Sequence, residues 1–329
     1  MADIALTDTS VIKKRASAVR RSGHRDTRFR VLTFCAAVIV LVIFAGVLTS
    51  LGLGAWPAIK AFGLPFVWTE AWNPVTERFG ALAAVYGTLI TSFIAMLIAV
   101  PVGIGIAIFL TEICPRPFRR PIGIAIELLA GIPSIIYGIW GLFVFAPIFQ
   151  SVVQPWLIEL FANIPLLQDL FAGPPYGIGI FTASIILSIM ILPFISAVTR
   201  DVFETVPPTL KEAAYALGCT TSEVMWRVVL PFARTGVVGG AMLALGRALG
   251  ETMAVTFVIG NAHHIHTSLF SPGTTISATI ANEFTEAVGD LYLSSLIEMG
   301  LILFFITFVV LAVAQLMLHE LERRAGGIS

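Results

Sequence analysis

Long apolar runs separated by short polar segments dominate the chain. Six of these runs reach membrane-spanning length, at about residues 31–52, 83–110, 123–148, 178–199, 235–260 and 292–318. A helix needs about 20 mostly apolar residues to cross a bilayer. None of the runs alternates apolar and polar residues as the strands of a membrane barrel do. The pattern therefore predicts an all-α integral membrane protein with six transmembrane helices.

The composition agrees with this prediction. The chain has 329 residues, of which 57% are hydrophobic and 12% are charged. Soluble domains average about 45–50% apolar and about 25% charged residues. The first apolar run follows a polar stretch of roughly thirty residues and lacks a small-residue cleavage site, so we expect a spanning helix rather than a signal peptide there.

The positive charges are unevenly distributed, although the formal net charge is zero. Lys and Arg number eight in residues 1–30, three in 111–121, four in 200–234 and two in 319–329. The alternate loops hold only Lys60 and Arg78. Because basic loops favour the cytoplasm, both termini are predicted to be cytoplasmic.

This assignment predicts a simple domain organisation. A basic cytoplasmic tail (residues 1–30) precedes a transmembrane domain (31–320), and a short cytoplasmic tail (321–329) follows it. We interpret the first tail as a topology anchor on an anionic leaflet, and no nucleic acid is expected as a partner.

Two segments on the opposite side attract attention. Residues 53–82 contain three tryptophans, which are typical of a membrane interface and which would also suit a docking partner. The sequence HHIH (His263, His264, His266) suggests a metal site. No carboxylate or cysteine is clustered beside it, and one loop makes a poor cage, so no metal is predicted.

A charged pair interrupts the fifth apolar run. Arg247 lies near the middle of that run, and Glu251 follows four residues later, which in a continuous helix would place both side chains on one face. An arginine at the bilayer centre costs at least about 2.5–3.5 kcal/mol and therefore tends to face a water-filled path or a partner.

Two interpretations of this pair remain open. A structural ion pair with no role in transport is one. The other is an anion-recognising step in a pore, because guanidinium binds phosphate oxygens in a bidentate manner. Glu251 would then accept a hydrogen bond from a phosphate O–H and hold Arg247 when the path is empty.

The predicted cytoplasmic loop 200–234 contains two short helices joined at a glycine. Pro208 suits a helix start, and Gly218 suits the left-handed residue that ends a helix. Thr220 and Glu223 have the spacing of a capping box. The second helix, SEVMWRVVL, is predicted to stop at the proline that follows it.

The same loop carries a pattern of fixed residues, E-A-A, three residues, G, nine residues, an aliphatic, one residue, L-P. It resembles the EAA loop of the permease subunits of bacterial ABC importers. In that family the loop forms coupling helices that sit in a groove of an ATP-hydrolysing subunit. The resemblance therefore assigns coupling to Glu212, Ala213, Ala214 and Gly218, within a type I ABC importer architecture.

No G-x-x-x-x-G-K-[ST] phosphate-binding stretch occurs in the sequence. The chain is thus predicted to be a pore subunit without enzymatic activity. It is expected to hold no cofactor itself, with ATP and Mg bound by the partner ATPase.

Most of residues 30–320 resemble the permeases of the bacterial phosphate importer, especially at LGRALGETMAVTFVIGN, ELLAGIPSIIYGIWGLF and ISATIANEF. The segment ETMAVTFVIGN favours one of that importer's two permease types over the other, PstA. The resemblance implies an inner-membrane location and a heterodimer with a PstA-type sister permease. It also implies a PstB-type ATPase dimer, a PstS-type phosphate-binding protein, and a sensing role shared with PhoU. In that family the pair matching Arg247 and Glu251 belongs to the phosphate route.

Three alternatives differ from this reading. An ABC permease for another oxyanion, sulfate or molybdate, is the nearest, since arginine binds all of these anions. A secondary transporter would leave the EAA loop without a purpose. A membrane signalling or scaffold protein would need no ATPase.

Overall fold

The computed structural model describes the backbone of residues 2–326 and the side chains of residues 29–165, 167–320 and 323. Within residues 2–326 every regular element is helical, and only two isolated β-bridges occur. The α-helices are α1 (Ala2–Phe62), α2 (Pro65–Trp68), α3 (Leu82–Ile108), α4 (Arg116–Ala130), α5 (Ser134–Trp140), α6 (Ala146–Ile148), α7 (Gln154–Phe161), α8 (Pro165–Leu170), α9 (Ile180–Glu204), α10 (Pro208–Ala216), α11 (Thr221–Val224), α12 (Leu230–Leu249), α13 (Met253–Ile259), α14 (Ile276–Glu283) and α15 (Asp290–Gly326). Four π-helical turns join some of them, at Phe109–Ile113, Gly141–Phe145, Phe149–Val153 and Met225–Val229.

In the part of the chain that the structure describes, six helical segments are long and apolar enough to cross a membrane. They are Phe29–Phe62, Leu82–Ile113, Ser134–Phe161, Ile180–Glu204, Thr221–Leu249 and Asp290–Glu320. The predicted fold class, an all-α membrane protein with six spans, is confirmed.

The third span begins later than the sequence predicted. The apolar run was expected to form one helix over 123–148, but α4 ends at Ala130 and a new helix begins at Ser134. Pro133 lies between them with extended backbone angles, φ −56° and ψ 136°. Because proline cannot donate the hydrogen bond that would continue the first helix, the chain changes direction there.

The fifth span is displaced toward the N-terminus. Pro231 was predicted to stop the second loop helix, but the helix runs without a gap from Thr221 to Leu249. The π-helical turn Met225–Val229 directly precedes α12, and Pro231 falls in the first turn of α12. In the π-helical turn the backbone hydrogen bonds reach five residues back, as from Leu230 N–H to Met225 O, and this wider turn accommodates the proline within the continuous helix.

The chain divides into two compact units, residues 1–53 and 54–329. In the first unit, the apolar side chains of the membrane-spanning stretch are largely exposed, among them Ile39, Leu41 and Ile43. In the second unit, α9 is the central element, and its buried side chains pack with those of α3, α12 and α13. Small residues allow this close packing: a Cβ at Gly103 of α3 would lie 2.7 Å from Ile195 of α9.

Candidate substrate path and coupling loop

The helix that carries Arg247 breaks immediately after it. α12 ends at Leu249, and α13 begins at Met253. Between them, Gly250 has φ −94° and ψ 3°, and Thr252 has φ −113° and ψ −69°. The prediction of one continuous helix over 235–260 is therefore wrong, and so is the expectation that Arg247 and Glu251 share one helical face.

Arg247 is the third residue from the end of the fifth span, but it lies level with the middle of α9. Gly236 of α12 faces Val202 of α9, and a Cβ at Gly236 would lie 2.6 Å from that valine. One turn further along α12, a Cβ at Gly240 would lie 2.7 Å from Val198. Continuing this antiparallel register places Arg247 level with Ile191, close to the midpoint of α9. This depth agrees with the position expected from the sequence.

The Arg247 side chain is exposed. Among the described residues no carboxylate forms an ion pair with it. It shares an uncovered stripe of α12 with Leu243, which is itself exposed, and with Gly250 beyond the helix end. A permanent charge left uncovered at this depth needs water, a ligand or another chain beside it.

Glu251 makes a local contact that the sequence did not predict. Its Oε1 accepts a hydrogen bond of 3.2 Å from the backbone N–H of Ala254, so the carboxylate caps the first turn of α13. A carboxylate at a helix N-terminus is stabilised by the unpaired N–H groups there. The interpretation of Arg247 and Glu251 as a structural ion pair has no support in this geometry. The break instead places the guanidinium of Arg247 near the end of α12 and the carboxylate of Glu251 just before the start of α13.

The loop predicted to couple the chain to an ATPase has the expected local structure. α10 ends at Ala216, and Gly218 follows with φ +85°, a left-handed conformation that glycine adopts without strain. The capping box is present: Thr220 N–H donates to Glu223 Oε2 at 2.9 Å, and Glu223 N–H donates to Thr220 Oγ1 at 3.4 Å.

The four predicted coupling residues are not equivalent. Glu212, Ala213 and Gly218 are exposed. Ala214 is only 7% exposed and packs into the cluster around Phe203, where it supports α10 from within. The sequence reasoning did not select three exposed apolar residues of the same loop, Leu210, Tyr215 and Leu217, of which Leu217 is 85% exposed.

An ion pair that the sequence did not predict holds the loop to the second span. Lys211 Nζ of α10 lies 2.6 Å from Glu112 Oε1 in the π-helical turn that follows α3, and the two side chains are only 20% and 13% exposed. The residues are 99 positions apart, so no local pattern could relate them. The pair ties the first loop helix to a membrane-crossing helix.

On the opposite side, the tryptophan and histidine segments meet at one carboxylate. Glu283 accepts hydrogen bonds from Trp72 Nε1 at 2.7 Å and Tyr292 OH at 2.6 Å, and its Oε1 lies 2.9 Å from His263 Nε2. The His263 ring also stacks on Trp72. Burial opposes the charged form of Glu283, but these hydrogen bonds outweigh burial and lower its pKa.

The histidine segment and the tryptophan segment therefore contact each other. Among the described residues no group of three or more His, Cys, Asp or Glu side chains could hold a metal ion. His263 instead contacts Glu283, and Ile265 donates its backbone N–H to Glu70 Oε1 at 2.7 Å. The tryptophan that was expected at an interface, Trp72, is thus part of an internal network.

The fold defines the class of protein first: it is similar to that of membrane chains in solved ABC transporters. A bacterial alginate ABC transporter, solved in complex with an alginate pentasaccharide-bound periplasmic protein, contains a similar chain with a TM-score of 0.58, 20% identity, and coverage of 89% of this chain and 96% of that one. The inward-facing MetNI methionine ABC transporter matches with a TM-score of 0.50, 16% identity, and coverage of 78% and 98%. These likenesses confirm the predicted architecture.

The family follows from the sequence comparison. The chain belongs to the binding-protein-dependent transport system inner membrane component family, whose model matches residues 99–326. It is therefore a multi-pass inner-membrane protein. Among its relatives is the phosphate transport system permease protein PstC of Mesorhizobium japonicum, 66% identical over 96% of this chain and 97% of the relative. The PstC of Pasteurella multocida is 57% identical, with 95% and 98% covered.

These relatives confirm the resemblance to phosphate importer permeases that the sequence predicted. The likeness extends to a probable PstC of Methanocaldococcus jannaschii, 38% identical over 89% of this chain and 93% of the relative. The segment ETMAVTFVIGN favoured one of the importer's two permease types over PstA, and the relatives named here belong to that other type, PstC.

Proposed function

We propose that this chain is the transmembrane permease subunit of an ATP-driven importer of inorganic phosphate, and that it forms half of the translocation pore. The observation that carries the proposal is the unpaired Arg247 at mid-membrane depth, directly before a broken helix. Irregular backbone at such depth is tolerated where it is buried in protein or lines a water-filled cavity. A guanidinium beside such a cavity suits an oxyanion.

Phosphate is favoured over sulfate or molybdate for two reasons. The relatives that match nearly the whole chain are named as phosphate permeases. In addition, phosphate near neutral pH carries a proton that Glu251 can accept in a hydrogen bond, whereas sulfate carries none. Glu251 Oε1 is occupied by Ala254 N–H, which leaves the second carboxylate oxygen for this role.

The partners follow from the same proposal. A sister permease would cover the exposed stripe of Arg247, and an outer binding protein would deliver phosphate. A separate ATPase dimer would bind ATP and Mg. The exposed residues Glu212, Ala213, Leu217 and Gly218 offer the surface that the ATPase would contact, and Ala214 would hold that surface in place from beneath.

Uptake of labelled phosphate by vesicles that contain the complete complex tests the substrate route. Arg247→Ala is expected to lower ATP-dependent uptake by about a hundredfold, because a desolvated anion would lose its charged partner. Arg234→Ala is the matched control, since Arg234 lies in the same helix at its loop end. Equal uptake by Arg247→Ala and wild type would remove Arg247 from the route, and strong competition by sulfate would change the substrate.

A second test addresses the coupling loop. Gly218→Pro is expected to leave the complex assembled while separating ATP hydrolysis from uptake, because proline cannot adopt φ +85° and would lose the N–H that Gly218 donates to Tyr215 O at 2.9 Å. Gly218→Asn is the control, since asparagine tolerates the left-handed region. Unchanged phosphate transported per ATP in the proline variant would contradict the assigned role.

A further inference from the structure

A cavity of about 550 Å³ lies at the end of the bundle that carries the coupling loop. The end of the second span, α4, the end of α9 and the start of α10 form its walls. Its charged lining consists of four cations and two carboxylates: Arg119, Arg120, Arg200, Lys211, Glu127 and Glu204. This is the side that the distribution of basic residues predicts to be cytoplasmic.

Among the described residues, carboxylates form ion pairs with two of the four cations. Arg200 Nη2 lies 2.7 Å from Glu127 Oε1 and 2.9 Å from Asp201 Oδ1, and Arg200 Nε lies 4.0 Å from Glu204 Oε1. Lys211 is paired with Glu112. Both carboxylates of the lining therefore lie against one arginine, and neither is committed to Arg119 or Arg120.

Arg119 and Arg120 differ from the other two cations of the lining in their contacts. Among the described residues no carboxylate forms an ion pair with either of them. Arg119 donates from Nε to the Cys114 carbonyl at 2.8 Å and from Nη2 to the Glu112 carbonyl at 3.4 Å, so its guanidinium is held in place by the backbone. Arg120 is exposed.

The helix that carries both arginines also has an exposed apolar surface. Phe118, Ile124, Leu128 and Leu129 of α4 are 58%, 46%, 69% and 46% exposed. A helix with basic residues and uncovered apolar residues suits the boundary between headgroups and acyl chains. The cavity thus lies where a lipid can present its headgroup to the arginines and its chains to the apolar residues.

We propose that this cavity binds a phosphoryl oxyanion, supplied by the headgroup of an anionic phospholipid of the same leaflet. Guanidinium groups bind phosphoryl oxygens in a bidentate manner, and basic pockets on the cytoplasmic side of membrane proteins hold such headgroups. Since Pro208 and Lys211 of α10 form part of the wall, the bound headgroup contacts the first helix of the coupling loop. The site is separate from the route past Arg247 and does not depend on the transported substrate.

Native mass spectrometry of the full-length chain in detergent, titrated with phosphatidylglycerol or phosphatidylcholine, tests the proposal. Arg120→Gln is expected to weaken phosphatidylglycerol binding about fivefold, and the double variant Arg119→Gln/Arg120→Gln further, because each surface cation contributes about 1 kcal/mol toward an anionic headgroup. Arg116→Gln is the matched control: it removes the same charge from an exposed position of α4 that does not line the cavity. Its affinity is expected to stay within about twofold of wild type.

A parallel titration with inorganic phosphate, followed by the thermal unfolding temperature, distinguishes the two sources of the oxyanion. Stabilisation by millimolar phosphate that is lost in Arg120→Gln and kept in Arg116→Gln supports the site with free phosphate as its ligand. Equal phosphatidylglycerol binding by all variants, with no phosphate effect that depends on Arg120, overturns the proposal. So does an equal loss in Arg116→Gln, which would indicate general attraction by a basic helix.

Discussion

Arg247 and Lys211 are cations with opposite surroundings in the same chain. Lys211 is mostly covered and lies 2.6 Å from Glu112, whereas Arg247 is exposed and has no carboxylate partner among the described residues. A paired and partly buried cation stabilises the contact between two elements. An exposed cation at mid-membrane depth can interact with water, a ligand or another chain. From this difference we propose a structural role for Lys211 and a transport role for Arg247.

The largest expected effect sharpens this comparison at Arg247. Arg247→Lys keeps the charge but loses the planar fork, so phosphate uptake is expected to fall about tenfold, between wild type and Arg247→Ala. The unfolding temperature is expected to stay unchanged, because no ion pair of the chain is lost. Uptake in vesicles and thermal unfolding of the purified chain check the two parts. A large drop in the unfolding temperature would place Arg247 in the structural class instead.

The opposite pattern is expected at the loop. Lys211→Met should lower the free energy of unfolding by about 2–3 kcal/mol, because Glu112 is left partly buried without its partner. Adding Glu112→Gln should recover more than half of that loss, since the uncompensated charge is then removed. Chemical denaturation of the two variants and wild type provides the measurement. If the single and double variants are equally unstable, the pair does not hold the loop to the second span.

The sequence predicted the six spans because hydropathy depends on composition over some twenty residues, which small errors in boundary do not disturb. It failed at Gly250 because a glycine, a carboxylate and a threonine within an apolar run also suit a kinked continuous helix. The contact that decides the matter, from Glu251 to the N–H of Ala254, is a capping contact, and a helix start had not been considered there. The sequence suggested two partners for the carboxylate, Arg247 and a phosphate O–H, and neither is a backbone N–H.

The coupling loop also shows what can be predicted from sequence and what cannot. The capping box of Thr220 and Glu223 could be predicted because its partners are three residues apart. The covered position of Ala214 could not, because it depends on packing against Phe203 and Val224 from other elements. Local signals therefore gave the turn at Gly218 and the capping box correctly, while the helix end expected at Pro231 was wrong and the inner and outer faces of the loop required the tertiary structure.

The smallest expected effect extends the comparison to Glu283, a paired carboxylate on the other side of the bundle. Its hydrogen bonds from His263, Tyr292 and Trp72 hold its pKa below the ordinary value despite burial. A carboxyl whose pKa is lowered by folding stabilises the folded state fully above its unfolded pKa, near 4.3, and loses that contribution as the pH falls through its folded pKa.

Glu283→Gln should therefore cost about 1–2 kcal/mol at pH 7, and its difference from wild type should shrink below about pH 4.3. Thermal unfolding from pH 7 to strongly acidic pH measures this, with Glu286→Gln as the control, because Glu286 is exposed and makes none of these hydrogen bonds. A difference between Glu283→Gln and wild type that is constant across the range would mean that the network stabilises the fold through packing, and that the carboxylate charge contributes nothing to it.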